Sequence, residues 1–492
     1  MISTFLGHPF HPRHPDDDKP REECGVFGIF GHDDAGPHTA LGLHALQHRG
    51  QEAAGIVVCD GKQFHAHRDR GLVGDIYANQ EVMGRLAGRM GIGHVRYATT
   101  GETALRNVQP LFADLQLGGF ALAHNGNLTN ALSLRRTLVE RGSLFQSTSD
   151  TEVIVHLMAT SEAGSVVDRM TDALRQVEGA YSLVALTDSC IIGVRDPLGV
   201  RPLVIGRLGE AHIVTSETCA LDIIGAEFVR DVEAGEMVVL DESGVHSLRP
   251  FPPARRRFCI FEYIYFARPD SLLEGASVYE RRKAIGMELA RESPVQAEVI
   301  IPVPDSGVPA AIGYAETSGI PFELGIIRNH YVGRTFIEPS EQIRHLGVRL
   351  KHNANRASLA GKRVVLVDDS IVRGTTSVKI VEMVRAAGAT EVHMRIAAPP
   401  TARSCFYGIN TPEEEELLAA GMDVPAMTEH IGVDSLAFIS MDGLYRAVGE
   451  PGRDDANPQY CDACFTGDYP TQLTDRDSGD NTTQLSLLAE LA

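Results

Sequence analysis

Between residues 24 and 241 the chain alternates short β-branched runs with Gly and Asn turns, among them Gly25–Phe30 and residues 55–59, 120–123, 181–186 and 191–194. Runs of this length bounded by turn residues predict strands. Between them, residues 132–141 and 166–177 carry apolar side chains three and four positions apart, the period of a helix that buries one face. The mixture predicts antiparallel sheets covered by helices. From about Phe258 the pattern changes, because the continuous apolar runs 299–303 and 364–367 are each followed by a loop and a helical stretch. That alternation predicts a parallel α/β sheet.

The Pro- and Arg-rich segment 248–257, LRPFPPARRR, lies between the two patterns and marks the boundary. We expect a first domain over residues 24–250 and a second over 258–465, with a polar, mobile tail over 469–492 where large apolar groups become scarce. At 492 residues the chain is too long for a single core, which agrees with two domains. A net charge of −20 argues against a broad nucleic-acid surface, so any phosphate site must be local. No stretch approaches the ~18 apolar residues of a membrane span, and the leader 1–23 lacks the apolar core of an export signal. Eight scattered cysteines in such a chain point to a reducing, cytoplasmic setting rather than to a disulfide framework.

Cys24 opens the run Cys24-Gly25-Val26-Phe27-Gly28 directly after the leader. An isolated Cys there reads as a small core residue. It is followed by His94-Val95-Arg96-Tyr97, His124-Asn125-Gly126-Asn127-Leu128 and Ser149-Asp150-Thr151-Glu152, an order and spacing that resembles the N-terminal-nucleophile glutaminases. The resemblance implies an αββα sandwich whose mature chain begins at Cys24, with residues 1–23 a propeptide removed at the Glu23–Cys24 bond. Its thiol would attack the glutamine side-chain amide, and its α-amino group would exchange protons near neutral pH, as a peptide nitrogen cannot. Arg96 suits the α-carboxylate of glutamine and Asp150 its α-ammonium. Asn125, through its side-chain amide, and Gly126, through its backbone N–H, would hold the oxyanion.

A second constellation follows the run 364–367. Asp368-Asp369-Ser370-Ile371-Val372-Arg373-Gly374-Thr375-Thr376 leads into a helical pattern marked by Val378, Val381 and Val384. Ligands of open α/β sheets bind beyond the carboxyl ends of the strands, where a helix start offers free N–H groups to a phosphate. Paired carboxylates before such a turn resemble the type I phosphoribosyltransferase signature, in which they bind ribose hydroxyls while Ser370, Arg373, Gly374, Thr375 and Thr376 cradle the 5′-phosphate. By the same resemblance, Mg²⁺ would contact Ser306, Asp368 and Asp369, an oxygen-only set. The segment 328–337, including Arg328 and Tyr331, resembles the loop that closes over phosphoribosyl pyrophosphate.

Cys461-Asp462-Ala463-Cys464 is a CxxC pair of the kind that binds metal or does redox chemistry. With Cys259 and Cys405 it matches the ligand positions of the iron–sulfur branch of the glutamine phosphoribosylpyrophosphate amidotransferase (amidophosphoribosyltransferase) family, which the chain resembles over almost its whole length. That resemblance implies a [4Fe–4S] cluster on Cys259, Cys405, Cys461 and Cys464, and four-cysteine zinc is the alternative. Cys59, Cys190 and Cys219 read as core residues, and the acidic run 413–416 as a solvated helix start.

The family implies an enzyme that combines glutamine, water and phosphoribosyl pyrophosphate to give 5-phosphoribosylamine, pyrophosphate and glutamate, the opening step of purine synthesis. It further implies purine-nucleotide feedback inhibitors and a homotetramer. Two rivals remain at this stage: another glutaminase-coupled enzyme, such as an aminosugar synthase, and a non-catalytic sensor of phosphoribosyl pyrophosphate.

Overall fold

The computed structural model describes residues 21–22, 24–97, 104–329 and 352–477. Its first domain is built from strands β2 (Gly25–Phe30), β3 (Ala53–Cys59), β4 (Phe64–Arg70), β5 (Met90–Arg96), β6 (Leu111–Leu115), β7 (Gly118–Leu128) and β8 (Gly179–Leu186). These are followed by β9 (Ile191–Arg195), β10 (Val204–Leu208), β11 (Ala211–Thr215), β12 (Glu227–Asp231), β13 (Met237–Asp241) and β14 (Gly244–Leu248). A leading strand, β1 (Arg21–Glu22), stands apart from them.

Two sheets result, ordered β12-β10-β11-β2-β5-β3-β4 and β14-β13-β9-β8-β7-β6, with antiparallel pairing throughout. Their alternation sorts side chains into layers, as the two-residue period of a strand requires. In β2, Phe27 and Ile29 face a helix-side core, while Val26 and Phe30 enter the core between the sheets. Strand β7 divides in the same way, with Phe120 and Leu122 toward the helices and Ala121 and Ala123 toward the opposite sheet. Helix Ala35–Ala45 covers the first sheet, where Gly42 has no room for a Cβ beside the Phe27 ring. Helices Thr151–Thr160 and Val166–Leu174 cover the second. The layers are therefore helix, sheet, sheet, helix, as expected for the αββα sandwich.

The second domain holds a four-stranded parallel sheet in the order Val299–Pro302, Arg363–Asp368, Glu391–Ile396, Ser435–Phe438. Helices Val278–Glu292, Val308–Ser318 and Thr375–Ala386 flank it, the mixed α/β arrangement expected for a type I phosphoribosyltransferase domain. Its core is continuous with the helix-side core of the first domain: Leu46, Val200 and Cys219 belong to the same apolar cluster as Phe258, Ile260 and Phe261. Among the described residues no helix is long and apolar enough to cross a membrane.

Two local readings change. The acidic run is a short 3-10 turn, Glu414–Glu416, with no side-chain cap, and it is not merely solvated. Glu416 pairs with Arg373, and Glu414 with Arg403 and Arg476, so the run neutralises arginines near the expected phosphate loop. Residues 469–477, placed at the start of the tail, are tied down: the Tyr469 hydroxyl donates to the Ser404 carbonyl, and the Asp475 carboxylate accepts from the backbone N–H groups of Leu132 and Ser133.

Candidate functional site

Cys24 sits immediately before β2 with a φ of +70°, one of two non-glycine residues with positive φ among the described residues. Such a backbone is uncommon for a side chain with a Cβ and concentrates at functional sites. Gly25 pairs with Val95, which places Cys24 beside the end of β5 and thus beside Arg96. The first sheet meets the second here, because His94 Nε2 lies 3.1 Å from the His124 carbonyl oxygen. Burial and the nearby Arg96 charge push the His94 pKa down to about 3, so the imidazole is neutral.

Arg96 is buried and donates to the Asn107 carbonyl. Asn107 in turn holds Thr148 through two hydrogen bonds, at 2.9 and 3.0 Å, which fixes the loop leading to Asp150. Asp150 accepts the Leu128 N–H at 3.0 Å and stands 3.7 Å from His124 Nδ1. Burial raises the Asp150 pKa, but His124 and the N–H groups of Leu128 and Thr151 outweigh it and keep the carboxylate ionised below its ordinary range.

Asn125 is fully buried, and both its side-chain nitrogen and oxygen are without hydrogen-bond partners. Buried amides in this state are rare, because an unpaired donor costs roughly 1–3 kcal/mol. Arg96 Nε, His94 Nδ1 and His124 Nε2 share the condition. A polar wall of unspent donors and acceptors beside a cysteine is arranged for a polar ligand. Gly126, next in the chain, has φ +145° and lies so close to Ala180 that a Cβ would meet its carbonyl oxygen at 2.0 Å. Only glycine fits.

Sequence reading missed Arg49, Gly50 and Glu217. Arg49 is fully buried and bridges Glu217 of the first domain and Glu262 of the second, the latter at 2.8 Å. Gly50 presses on the Arg96 backbone, where a Cβ would lie 2.6 Å from its nitrogen. The available signal was the polar stretch Gln47-His48-Arg49-Gly50 closing an otherwise apolar helix, yet nothing local tells a buried arginine from a solvated one.

In the second domain the structure gathers Ser306, Asp368 and Asp369. The Ser306 hydroxyl donates to Asp369, Ser370 Oγ donates to the same carboxylate at 2.7 Å, and the Asp369 N–H donates to Asp368 at 2.9 Å. All three residues 368–370 are buried. Helix Thr375–Ala386 starts at Gly374, whose φ of +80° and lack of a Cβ let Leu418 approach. Thr375 Oγ1 is buried without a partner at that helix start, which suits a phosphate. Arg328 pairs with Asp305 beside the Ser306 turn. Tyr331 and most of the expected closing loop lie outside the described residues.

Cys259 and Cys461 are register partners of parallel two-residue strands, Phe258–Cys259 and Tyr460–Cys461. Burial drives the Cys464 thiol up, and Cys259, Cys405 and Cys461 add to the effect, so the four sulfurs share one electrostatic neighbourhood. None of the eight cysteines is in a disulfide. Among the described residues no three Cys, His, Asp or Glu converge closely enough to hold a single metal ion. Cys59 and Cys219 are buried and Cys190 half-buried, as core residues.

Residues 94–222 match the glutamine amidotransferase domain family and residues 279–403 the phosphoribosyl transferase domain family. An amidophosphoribosyltransferase of Rhizobium etli is 60% identical over 480 residues, covering 96% of this chain and 97% of its own. The chain belongs to the amidophosphoribosyltransferase family. The Bacillus subtilis amidophosphoribosyltransferase is 51% identical over 92% of this chain and 95% of its own. A solved B. subtilis glutamine phosphoribosylpyrophosphate amidotransferase, complexed with ADP and GMP, superimposes with a TM-score of 0.87 at 50% identity, covering 92% of this chain and 98% of that one. Amidophosphoribosyltransferases are pentosyltransferases with glutamine amidotransferase activity, and the two matched domains correspond to those two halves.

Proposed function

We propose that this chain makes 5-phosphoribosylamine, pyrophosphate and glutamate from phosphoribosyl pyrophosphate, glutamine and water, the first committed step of purine synthesis. The observation that carries the reading is the unpartnered, fully buried Asn125 amide, which follows the His124 carbonyl that His94 reaches, in a chain whose second domain ends a strand in the Asp368–Asp369 pair. Arg96 binds the α-carboxylate of glutamine and Asp150 its α-ammonium. The Cys24 sulfur adds to the carboxamide carbon while Asn125 and Gly126 take up the charge on oxygen. With residues 1–23 removed, the Cys24 α-amino group accepts the thiol proton and passes it to the departing ammonia. Water then releases glutamate from the thioester.

In the second domain, Asp368 and Asp369 hold the ribose hydroxyls, and Ser370, Arg373, Gly374, Thr375 and Thr376 hold the 5′-phosphate. Arg328 and Tyr331 close on the ligand. Ammonia forms the new bond to C1 as the bond from C1 to the pyrophosphate oxygen breaks. The oxygen donors Ser306, Asp368 and Asp369 fit Mg²⁺, which neutralises pyrophosphate charge when bound. Free ammonia is protonated and lost in water, so the two halves are served by a sheltered passage.

Cys259, Cys405, Cys461 and Cys464 fit a [4Fe–4S] cluster that pins the C-terminal segment to the body. Four-cysteine zinc is the alternative, because ligand type alone does not separate the two metals. Iron and sulfide analysis of anaerobically prepared protein tests this, and zinc without iron would overturn it. The complex of the B. subtilis relative with ADP and GMP supports purine nucleotides as inhibitors here. A homotetramer and a cytoplasmic location complete the reading.

The deciding experiment measures product formation by the Cys24→Ala variant with glutamine and with a high ammonium concentration. The first activity is lost and the second survives. Loss of both in a folded variant would refute separate glutaminase and synthase chemistry. Mass spectrometry of active enzyme should find a chain starting at Cys24.

A further inference from the structure

Gly408 of the second domain lies directly on Gly126 of the first. A Cβ built on Gly408 would stand 2.9 Å from the Gly126 Cα, 3.0 Å from its carbonyl carbon and 3.2 Å from its carbonyl oxygen. These are backbone atoms and cannot swing aside. On its other face Gly126 is already stopped by the Ala180 carbonyl oxygen, at 2.0 Å from its own Cβ position. Gly126 is therefore clamped between β8 and the turn that carries Gly408.

That turn is held in place by the first domain itself. Asn127 Nδ2 donates to the Phe406 carbonyl at 3.0 Å, and the buried Arg201 Nε donates to the Tyr407 carbonyl at 3.0 Å. The bonds fix residues 406 and 407, and Gly408 follows with a φ of +101° that glycine adopts without penalty. Two neighbouring anchors and one bare Cα set the height of the turn above Gly126.

We propose that Gly408 is a positioning residue for the oxyanion hole: the second domain supplies the surface that seats Gly126, so that its N–H meets the charge developing on the glutamine amide. The inference rests on the proposed role of Gly126 as a donor. A methyl group at position 408 displaces the Gly126 backbone by several tenths of an ångström. Oxyanion donors are sensitive to such shifts, because their value depends on alignment with the transition state rather than with bound substrate.

The test uses the full-length enzyme and compares Gly408→Ala with Gly432→Ala. Gly432 also has a positive φ, +78°, but has nothing within 4 Å of its Cβ position, so it reproduces the backbone strain without the contact. For Gly408→Ala, glutamine-dependent kcat should fall about tenfold to a hundredfold. The KM for glutamine should stay within about threefold, and ammonium-dependent synthesis should match the parent, since ground-state binding and the second site are untouched. Gly432→Ala should match the parent in all three. Parental kcat in Gly408→Ala, equal loss of both activities, a change in KM alone, or an equal glutaminase loss in Gly432→Ala would each overturn the proposal.

If Gly408→Ala does not fold, Asn127→Ala removes one anchor without adding atoms. It should then lower glutamine-dependent kcat about three- to tenfold with ammonium-dependent synthesis intact, and unchanged kcat would overturn the proposal. A parent chain that forms no product from glutamine refutes the underlying function, and this inference with it.

Discussion

The Ser306 hydroxyl donates to the Asp369 carboxylate, tying together two loops that leave neighbouring parallel strands. The bond means that the turn after Val299–Pro302 and the tip of Arg363–Asp368 act as one rigid cradle. Ser370 Oγ, which donates to the same carboxylate, locks it further.

Asp369→Asn preserves the shape of this cradle but removes its charge. Hydrogen bonds to charged groups contribute about 1.5–3 kcal/mol, so kcat/KM for phosphoribosyl pyrophosphate in the ammonium-dependent assay should fall about tenfold to a hundredfold. Steady-state kinetics check this, and a parental value would remove Asp369 from the site.

His94 makes the stability of the first domain pH-dependent. Its folded pKa of about 3 lies below the ordinary 6.5, so between those values the unfolded chain binds the extra proton. Stability is therefore present above about pH 6.5 and is lost as pH falls toward 3, by up to about 1.4 kcal/mol per pH unit. Arg96 and His124 face the ring and oppose its protonation. Asp196, raised by burial to about 6, works in the opposite sense over part of the same window, so the comparison must be with a variant. His94→Asn should show a flatter loss of denaturation midpoint between pH 6.5 and 4.5 than the parent. Parallel curves would show that His94 does not carry the effect.

Glu262 is fully buried and accepts from Arg49 at 2.8 Å and from Arg201 at 2.9 Å, one carboxylate holding two arginines of the other domain. Removing one member of a buried ionic group leaves uncompensated charge and costs about 3–5 kcal/mol. Glu262→Gln should therefore lower the urea midpoint strongly, whereas replacing the exposed Glu227, paired with Arg207 on the surface, should shift it little. Equal small shifts would mean that the junction draws its stability from its apolar contacts alone.

The architecture was legible wherever the signal is local. Strand Gly25–Phe30 falls where its short apolar run places it, and the Asp368–Asp369 turn ends a strand as its run of β-branched residues requires. Strand β7 runs past the apolar run 120–123, because its polar end, His124-Asn125-Gly126, is paired in the sheet, with His124 and Asn125 buried by the site rather than by a core. Arg49 and Glu217 escaped for the reverse reason: each is charged, and its burial depends on partners in distant parts of the chain. The run at Glu414–Glu416 was misread because arginines 373, 403 and 476 reach it only in three dimensions.

The leading strand β1 pairs with Ile409–Asn410, the residues that follow Gly408. Its partner is made only after most of the chain has left the ribosome, so this closure is among the last a nascent chain can achieve. Because β1 lies within residues 1–23, removal of that leader would also take away the strand partner of Ile409–Asn410.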